Sequence, residues 1–204
     1  MVIIMKKVNE NQVRQVVEEL GIEGEFNLND INNIYDMVTI GDEILRNSNQ
    51  NVENINDELN LIINMVNTLY EQKGCGIAAP QVGANKNIFI VKVIGEDEEG
   101  EEIVEFPLTV FINPKIVEYS EEQEWGFEGC LSVPGFFAMV PRSTKIKIEY
   151  TDLKGEKHIE EFEDFPARAI QHEYDHLLGV IYTDIADMET FTTTENFYKL
   201  KEEE

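Results

Sequence analysis

The sequence predicts an α+β fold: a mostly antiparallel sheet packed around one late helix, with a helical N-terminal appendage. Three observations lead there. Strand-like segments dominate the second half of the chain, and residues 145–151 alternate Ile146, Ile148 and Tyr150 with charged positions. Asp152-Leu153-Lys154-Gly155 then supplies turn chemistry into another strand ending near Phe162. A helix follows the strands instead of alternating with them, the order expected of α+β and not of a doubly wound α/β sheet.

The bulk numbers fit one domain with a real core. The chain has 204 residues, of which 42% are hydrophobic and 28% charged. Sixteen Lys and Arg face 41 Asp and Glu, for a net charge of −25. Such a surplus argues against nucleic acid or anionic lipid as a partner, since both need positive charge. The apolar start, residues 1–5, is too short for an export signal, and Lys6 and Lys7 follow it instead of preceding it. No stretch reaches bilayer length. Two cysteines, Cys75 and Cys130, make no disulfide framework, so a cytoplasmic location is expected.

Along the chain, residues 1–34 read as the appendage. Val13, Val16, Val17 and Leu20 share helical spacing before Gly21, and Leu28, Ile31, Ile34 and Val38 continue in a second helical pattern. Asparagine is frequent between Asn9 and Asn67 without an evident chemical role. A chain starting near Tyr35 is expected to keep its activity. Residues 35–190 form the main unit. Residues 41–46 look extended; Ile55, Leu59, Ile62, Met65, Val66 and Leu69 mark a strong amphipathic helix. After the turn Gly74-Cys75-Gly76, strands are expected at 87–94 and 110–117, separated by an acidic hairpin end at 95–102 that lacks the ligand spacing of a calcium loop. Residues 191–204 read as an acidic tail. There is no internal repeat.

The late helix carries the chemistry. Asp164 is placed to cap it, Pro166 sits in its first turn and Gly179 ends it. Within it lies Gln171-His172-Glu173-Tyr174-Asp175-His176, which holds two of the three histidines in the chain. Residues four apart share a helix face, so both imidazoles can reach one metal ion, and Glu173 beside them can reach a metal-bound water. The bland alternative is two histidines with ordinary partners. A third ligand separates the enzyme classes. A metzincin would place a third histidine where Tyr182 stands, and another protease type would use a downstream glutamate such as Glu189 or Glu195. Cys130, in Glu128-Gly129-Cys130-Leu131-Ser132, is the best remaining donor, suited to a tight loop or strand end. Taken alone it would be an inert buried cysteine. With it, the late helix becomes a metal-binding helix, and the softness of one sulfur and two nitrogens admits zinc, iron, nickel or cobalt.

Three segments in this order resemble the peptide deformylase family: Gly74-Cys75-Gly76-Ile77-Ala78-Ala79-Pro80-Gln81, Glu128 to Ser132, and Gln171 to His176. Gly41-Asp42, Ile44-Leu45-Arg46, Val140-Pro141-Arg142 and Leu177-Leu178-Gly179 add flanking matches. The resemblance spans about Tyr35 to Asp187. It implies hydrolysis of the N-formyl group from N-formyl-methionyl peptides by a monomer, with one divalent metal ion, Fe(II) favoured, on Cys130, His172 and His176. It implies catalytic roles for Glu173 as base and acid and for the Gln81 amide and Leu131 backbone N–H as oxyanion donors, with the Gly76 backbone binding substrate. It also implies a Glu128–Arg142 ion pair; the residues alone allow two exposed charges. The chain departs from the pattern at Glu43, where many relatives have proline, at Cys75, usually an apolar position, and at Phe136-Phe137, where some carry arginine. The end, Lys201-Glu202-Glu203-Glu204, lacks the basic helix with which some relatives dock on the ribosome, so ribosome association is unsupported.

Overall fold

Strand alternation decides which helix covers which face of the main sheet. The structure, a computed structural model, describes residues 6–24, 26–97 and 100–202; the apolar start 1–5, the acidic residues 98–99 and the terminal residues 203–204 lie outside the described residues. The chain runs β1 (Lys6–Lys7), α1 (Glu10–Glu19), α2 (Leu28–Ile31), β2 (Asn33–Ile34), α3 (Leu59–Gln72), β3 (Gly76–Ala78), β4 (Ile88–Glu96) and β5 (Glu102–Tyr119). It continues β6 (Gln123–Cys130), β7 (Val133–Ser143), β8 (Lys145–Thr151), β9 (Lys157–Glu163), α4 (Asp164–Leu177), β10 (Asp187–Thr193) and α5 (Thr194–Glu202). A five-stranded antiparallel sheet has the order β3-β4-β5-β8-β9, and a three-stranded one the order β10-β7-β6. The expected class, mixed helix and antiparallel sheet, is what the chain adopts.

Along β4, Ile88 and Ile90 point to α3, whereas Phe89 and Val91 point to α4. Along β5, Val110 and Ile112 face α3 and Phe111 faces α4. Successive side chains of a strand leave on opposite faces, so a run without polar interruption needs a cover on both sides. The two helices are those covers. Helix α4 lays Ala167, Ala169, Ile170 and Leu177 on the sheet, and its other face is left for His172 and its neighbours.

The first 34 residues belong to the α3 side of the core. Val13, Val16, Ile31 and Ile34 are buried in one cluster with Ile62, Ile63, Val66 and Leu69 of α3. The polar side of α3 completes the contact. Buried Asn64 accepts from Asn33 N at 2.9 Å and donates to Asp30 O at 2.7 Å; Asn67 donates to Ile31 O at 2.8 Å. Thr68 Oγ1 accepts from Tyr35 N at 2.9 Å. These bonds explain part of the asparagine usage. They also explain why the second helical pattern stops at Ile31: Asn33–Ile34 pairs with Lys6–Lys7 instead. Glu19 adds a tie, accepting from Lys92 Nζ at 2.8 Å and from the Tyr70 hydroxyl at 2.5 Å. Removing this segment uncovers Ile62 and Ile63 and strips the Asn64 and Asn67 side chains of partners, so a chain starting at Tyr35 is predicted to lose stability, contrary to the simple reading of an appendage.

Other expectations need correction. Residues 43–46 are not extended: they form a 3-10 turn, Glu43–Arg46, whose cap is Asp42, accepting from Ile44 N. Asp164 is the first residue of α4 and not its cap; Glu163 takes the N-cap position, without a side-chain hydrogen bond to the helix. The C-terminal stretch is not a tail. β10 pairs with β7, and α5 returns Phe197 to stack on Phe137, ring centroids 4.3 Å apart. Stacking those half-buried rings holds a segment whose overall acidity suggested a solvated end.

If residues 1–34 share the core, Ile31→Ala should lower unfolding free energy by about 2–5 kcal/mol in a urea titration, the usual cost of emptying a buried aliphatic site. A loss below about 0.5 kcal/mol, the scale of a surface change, would show that the segment folds apart.

Candidate active site

Helix geometry brings His172 and His176 to one face of α4, and the end of β6 brings Cys130 to meet them. The candidate ligand atoms of Cys130, His172 and His176 all lie within 4.8 Å of one another. Cys130 Sγ is 3.3 Å from His176 Nε2. The 3-10 turn Ala79–Val82 positions Gln81, which is 1% exposed. Its Oε1 accepts from Ala78 N at 2.8 Å, which turns Nε2 toward Cys130 Sγ at 3.4 Å and Ser132 Oγ at 3.3 Å. Leu131 lines the same cleft. Glu189 and Glu195, the other candidate ligands, are exposed on β10 and α5 and stand outside the Cys-His-His group.

Glu128 orders the centre. Its Oε1 accepts from Arg142 Nε at 2.8 Å and Arg168 Nη1 at 3.0 Å; its Oε2 accepts from Arg142 Nη2 at 2.9 Å and faces His172 Nδ1 at 2.9 Å. The last contact directs Nδ1–H at Glu128 and turns Nε2 toward Cys130 and His176. Both Glu128 and Arg142 are 5% exposed in their side chains, so the pair is not the exposed one the residues alone allowed. Burial works to raise the Glu128 carboxyl, but hydrogen bonds from Arg142 and His172 and their charges outweigh it and hold it well below the usual range. Burial and the neighbouring His172 keep His176 neutral, its pKa well below the ordinary value.

Glu173 is different. Burial pushes its carboxyl up to about 7, and its Oε2 is buried with no hydrogen-bond partner. A buried carboxylate oxygen without a partner is costly unless something in the working site satisfies it. Gly76 makes room for this group: a Cβ there would stand 2.3 Å from Glu173 Oε1 and 2.7 Å from its Cδ. Gly76 and Glu173, about a hundred positions apart, are therefore fitted to each other.

The donor set passes the test for a metal. One sulfur and two imidazole nitrogens converge, one imidazole is oriented by a carboxylate, and an unpartnered carboxylate oxygen sits alongside, as in a three-ligand site that keeps a position open. The group opens on a cleft of about 620 Å³ whose lining includes Gly76, Gln81, Cys130, Leu131, His172 and Glu173. β3 is the edge of its sheet and β6 the edge of the other, so the cleft runs between two free strand edges.

A sequence model of the polypeptide deformylase family matches residues 34–191. The chain belongs to that family. It is 46% identical over 144 residues to peptide deformylase 1 of Clostridium perfringens, covering 70% of this chain and 91% of that one. It is 42% identical over 150 residues to the peptide deformylase of Natranaerobius thermophilus, covering 73% and 90%. Among solved structures it is similar to a Met-Ala-Ser-bound class I type b peptide deformylase from Acinetobacter baumannii, with a TM-score of 0.68, 35% identity and coverage of 74% and 98%. It is also similar to an actinonin complex of the Synechococcus elongatus enzyme, with a TM-score of 0.67, 37% identity and coverage of 75% and 79%. The chain is thus an enzyme of the deformylase class. No helix among the described residues is long and apolar enough to cross a membrane.

Sequence reasoning missed Arg168 and Asp175 in this deformylase site. Arg168 stands four residues before His172, so its place on the ligand face was readable from spacing. Asp175 accepts from Arg142 Nη1, a contact that only the fold reveals.

Glu128→Ala would leave two buried guanidiniums facing each other. It should cost about 3–5 kcal/mol of stability in urea unfolding, whereas removing the exposed Glu10–Arg14 pair should cost under about 0.5 kcal/mol. Equal, small effects would contradict the buried network.

Proposed function

We propose that this enzyme hydrolyses the formamide of N-formyl-methionyl peptides, with Glu173 as the proton carrier and Cys130, His172 and His176 holding one divalent metal ion. The observation that supports it best is the unpartnered, buried Glu173 carboxyl beside the Cys-His-His group in an open cleft. A bound divalent ion supplies Lewis-acid polarisation and lowers the pKa of a water toward neutrality. Softness of the donors admits iron, zinc, nickel or cobalt; the family resemblance favours Fe(II), with the oxygen sensitivity that iron and a thiolate bring.

The chain's own residues do the rest. Glu173, its pKa raised to about 7, is poised to take a proton from the attacking water and to return it to the departing amine. Gln81 Nε2 points at the ligand group and donates to the oxyanion together with the Leu131 N–H. Gly76 offers the free edge of β3 to an extended peptide. We read the protein as a cytoplasmic monomer. Lys199 and Lys201 of α5 alternate with Glu195 and Glu202, and we do not extend the reading to ribosome docking.

The test compares wild type with Glu173→Gln at matched metal content on formyl-Met-Ala-Ser. Turnover by the wild type and a loss of about 10²–10⁴-fold in kcat for the variant, the usual contribution of a positioned acid–base group, is expected. Wild-type protein with one metal per chain and no release of formate would overturn the proposal.

A further inference from the structure

The third histidine of the chain, His158, lies away from the centre described above, on the hairpin of β8 and β9. Its Nε2 stands 2.9 Å from Asp152 Oδ2, and with Glu156 these groups present three ligand atoms within 4.8 Å of one another. Asp152 and His158 are both held from behind. Asp152 Oδ1 accepts from Lys154 N and Glu156 N, each at 2.9 Å, which leaves Oδ2 for the imidazole. His158 stacks on Tyr150, ring centroids 5.0 Å apart, and Glu160 Oε1 faces its Nδ1 at 3.6 Å. The Tyr150 hydroxyl in turn donates to Glu160 Oε2 at 2.9 Å. Among the described residues, Asp152 and Glu160 form ion pairs with His158 alone, so three carboxylates gather round one imidazole. Asp152 and His158 also line a cavity of about 400 Å³ with Leu20, Ile22 and Glu23 of the turn after α1. That cavity shares no lining residue with the cleft at Cys130.

We propose that Asp152, Glu156 and His158 form a second site, separate from the Cys-His-His group, for a divalent transition-metal ion. The imidazole sets this group apart from an ordinary run of surface acids. An all-oxygen set would suit Mg²⁺ or Ca²⁺, whereas one nitrogen with two carboxylates suits zinc, nickel or cobalt. Glu160 stands behind Nδ1 and favours a proton there, which turns the Nε2 lone pair toward Asp152 and the ion. Glu128 stands behind His172 in the same way. Burial works to raise the Asp152 carboxyl, but His158 and the two backbone amides hold it below the ordinary range, so it meets the ion as a carboxylate. Three protein ligands leave a position for water, which the cavity beside Asp152 and His158 supplies. The ion thereby joins the two strands of the hairpin to the turn between them, beside the N-terminal segment.

The experiment titrates untagged full-length protein with Co²⁺ in the presence of excess Mg²⁺ and counts bound cobalt by equilibrium dialysis. The wild type should bind one equivalent more than His158→Ala. That extra equivalent should add visible cobalt absorption without a thiolate-to-cobalt charge-transfer band, since no cysteine belongs to the group. Glu160→Gln keeps all three ligands and should weaken the extra equivalent about tenfold or more, the usual cost of losing the carboxylate behind a ligating histidine. Glu156→Gln should lose the extra equivalent as well, and carries the test if His158→Ala does not fold. The difference between wild type and variant reads the hairpin alone, whichever ion the Cys130 group prefers. Equal stoichiometry in the wild type, His158→Ala and Glu156→Gln would overturn the proposal. So would an extra equivalent that Mg²⁺ displaces, which would mark ordinary attraction to surface carboxylates.

Discussion

The site depends on one buried carboxylate. Glu128 receives two arginines and a histidine on its two oxygens, in a place 5% exposed to water. A buried ion network of this kind is weak evidence for stability, because apolar residues of the same volume would often serve as well. Its value lies in orientation. It fixes which nitrogen of His172 is protonated and ties β6 and β7 to α4, the elements that bring Cys130 to the histidines. If Glu128 moves, the cysteine end and the histidine end of the centre move apart.

The sheet makes that convergence possible. β4 and β5 are apolar on both faces, so they demand two covers, and α3 and α4 meet the demand from opposite sides. Once α4 is seated by Ala167, Ala169 and Ile170, its remaining face is committed to the cleft. Gly76 on the edge strand β3 then has to make way for Glu173. Fold and site are thus joined through packing: the same helix supplies core contacts at one set of positions and the candidate ligand and carboxyl groups at the other.

Much of this was legible from local patterns. The i, i+4 histidines, the alternation in residues 145–151 and the acidic hairpin all rest on periodicities of neighbouring residues. What stayed hidden depends on partners far away in the chain. β6 has one buried residue, Glu128, so it shows no apolar alternation, and β7 is interrupted by Pro134, Gly135 and Pro141. The C-terminal helix is held by Phe197 on Phe137, sixty positions apart, which acidity alone concealed. The first helices looked separable because Asn64, Asn67 and Thr68, polar residues on a helix face, gave no hint that they would be buried against the backbone of residues 30–35.

The central claim is that a thiolate and two imidazoles hold the ion and leave a position open beside Glu173. X-ray absorption on protein loaded with zinc reads this directly. The account predicts one sulfur at about 2.3 Å and two imidazole nitrogens at about 2.0–2.1 Å with one light oxygen donor, and loss of the sulfur shell in Cys130→Ser. A spectrum without sulfur, or one saturated by four protein ligands, would contradict it.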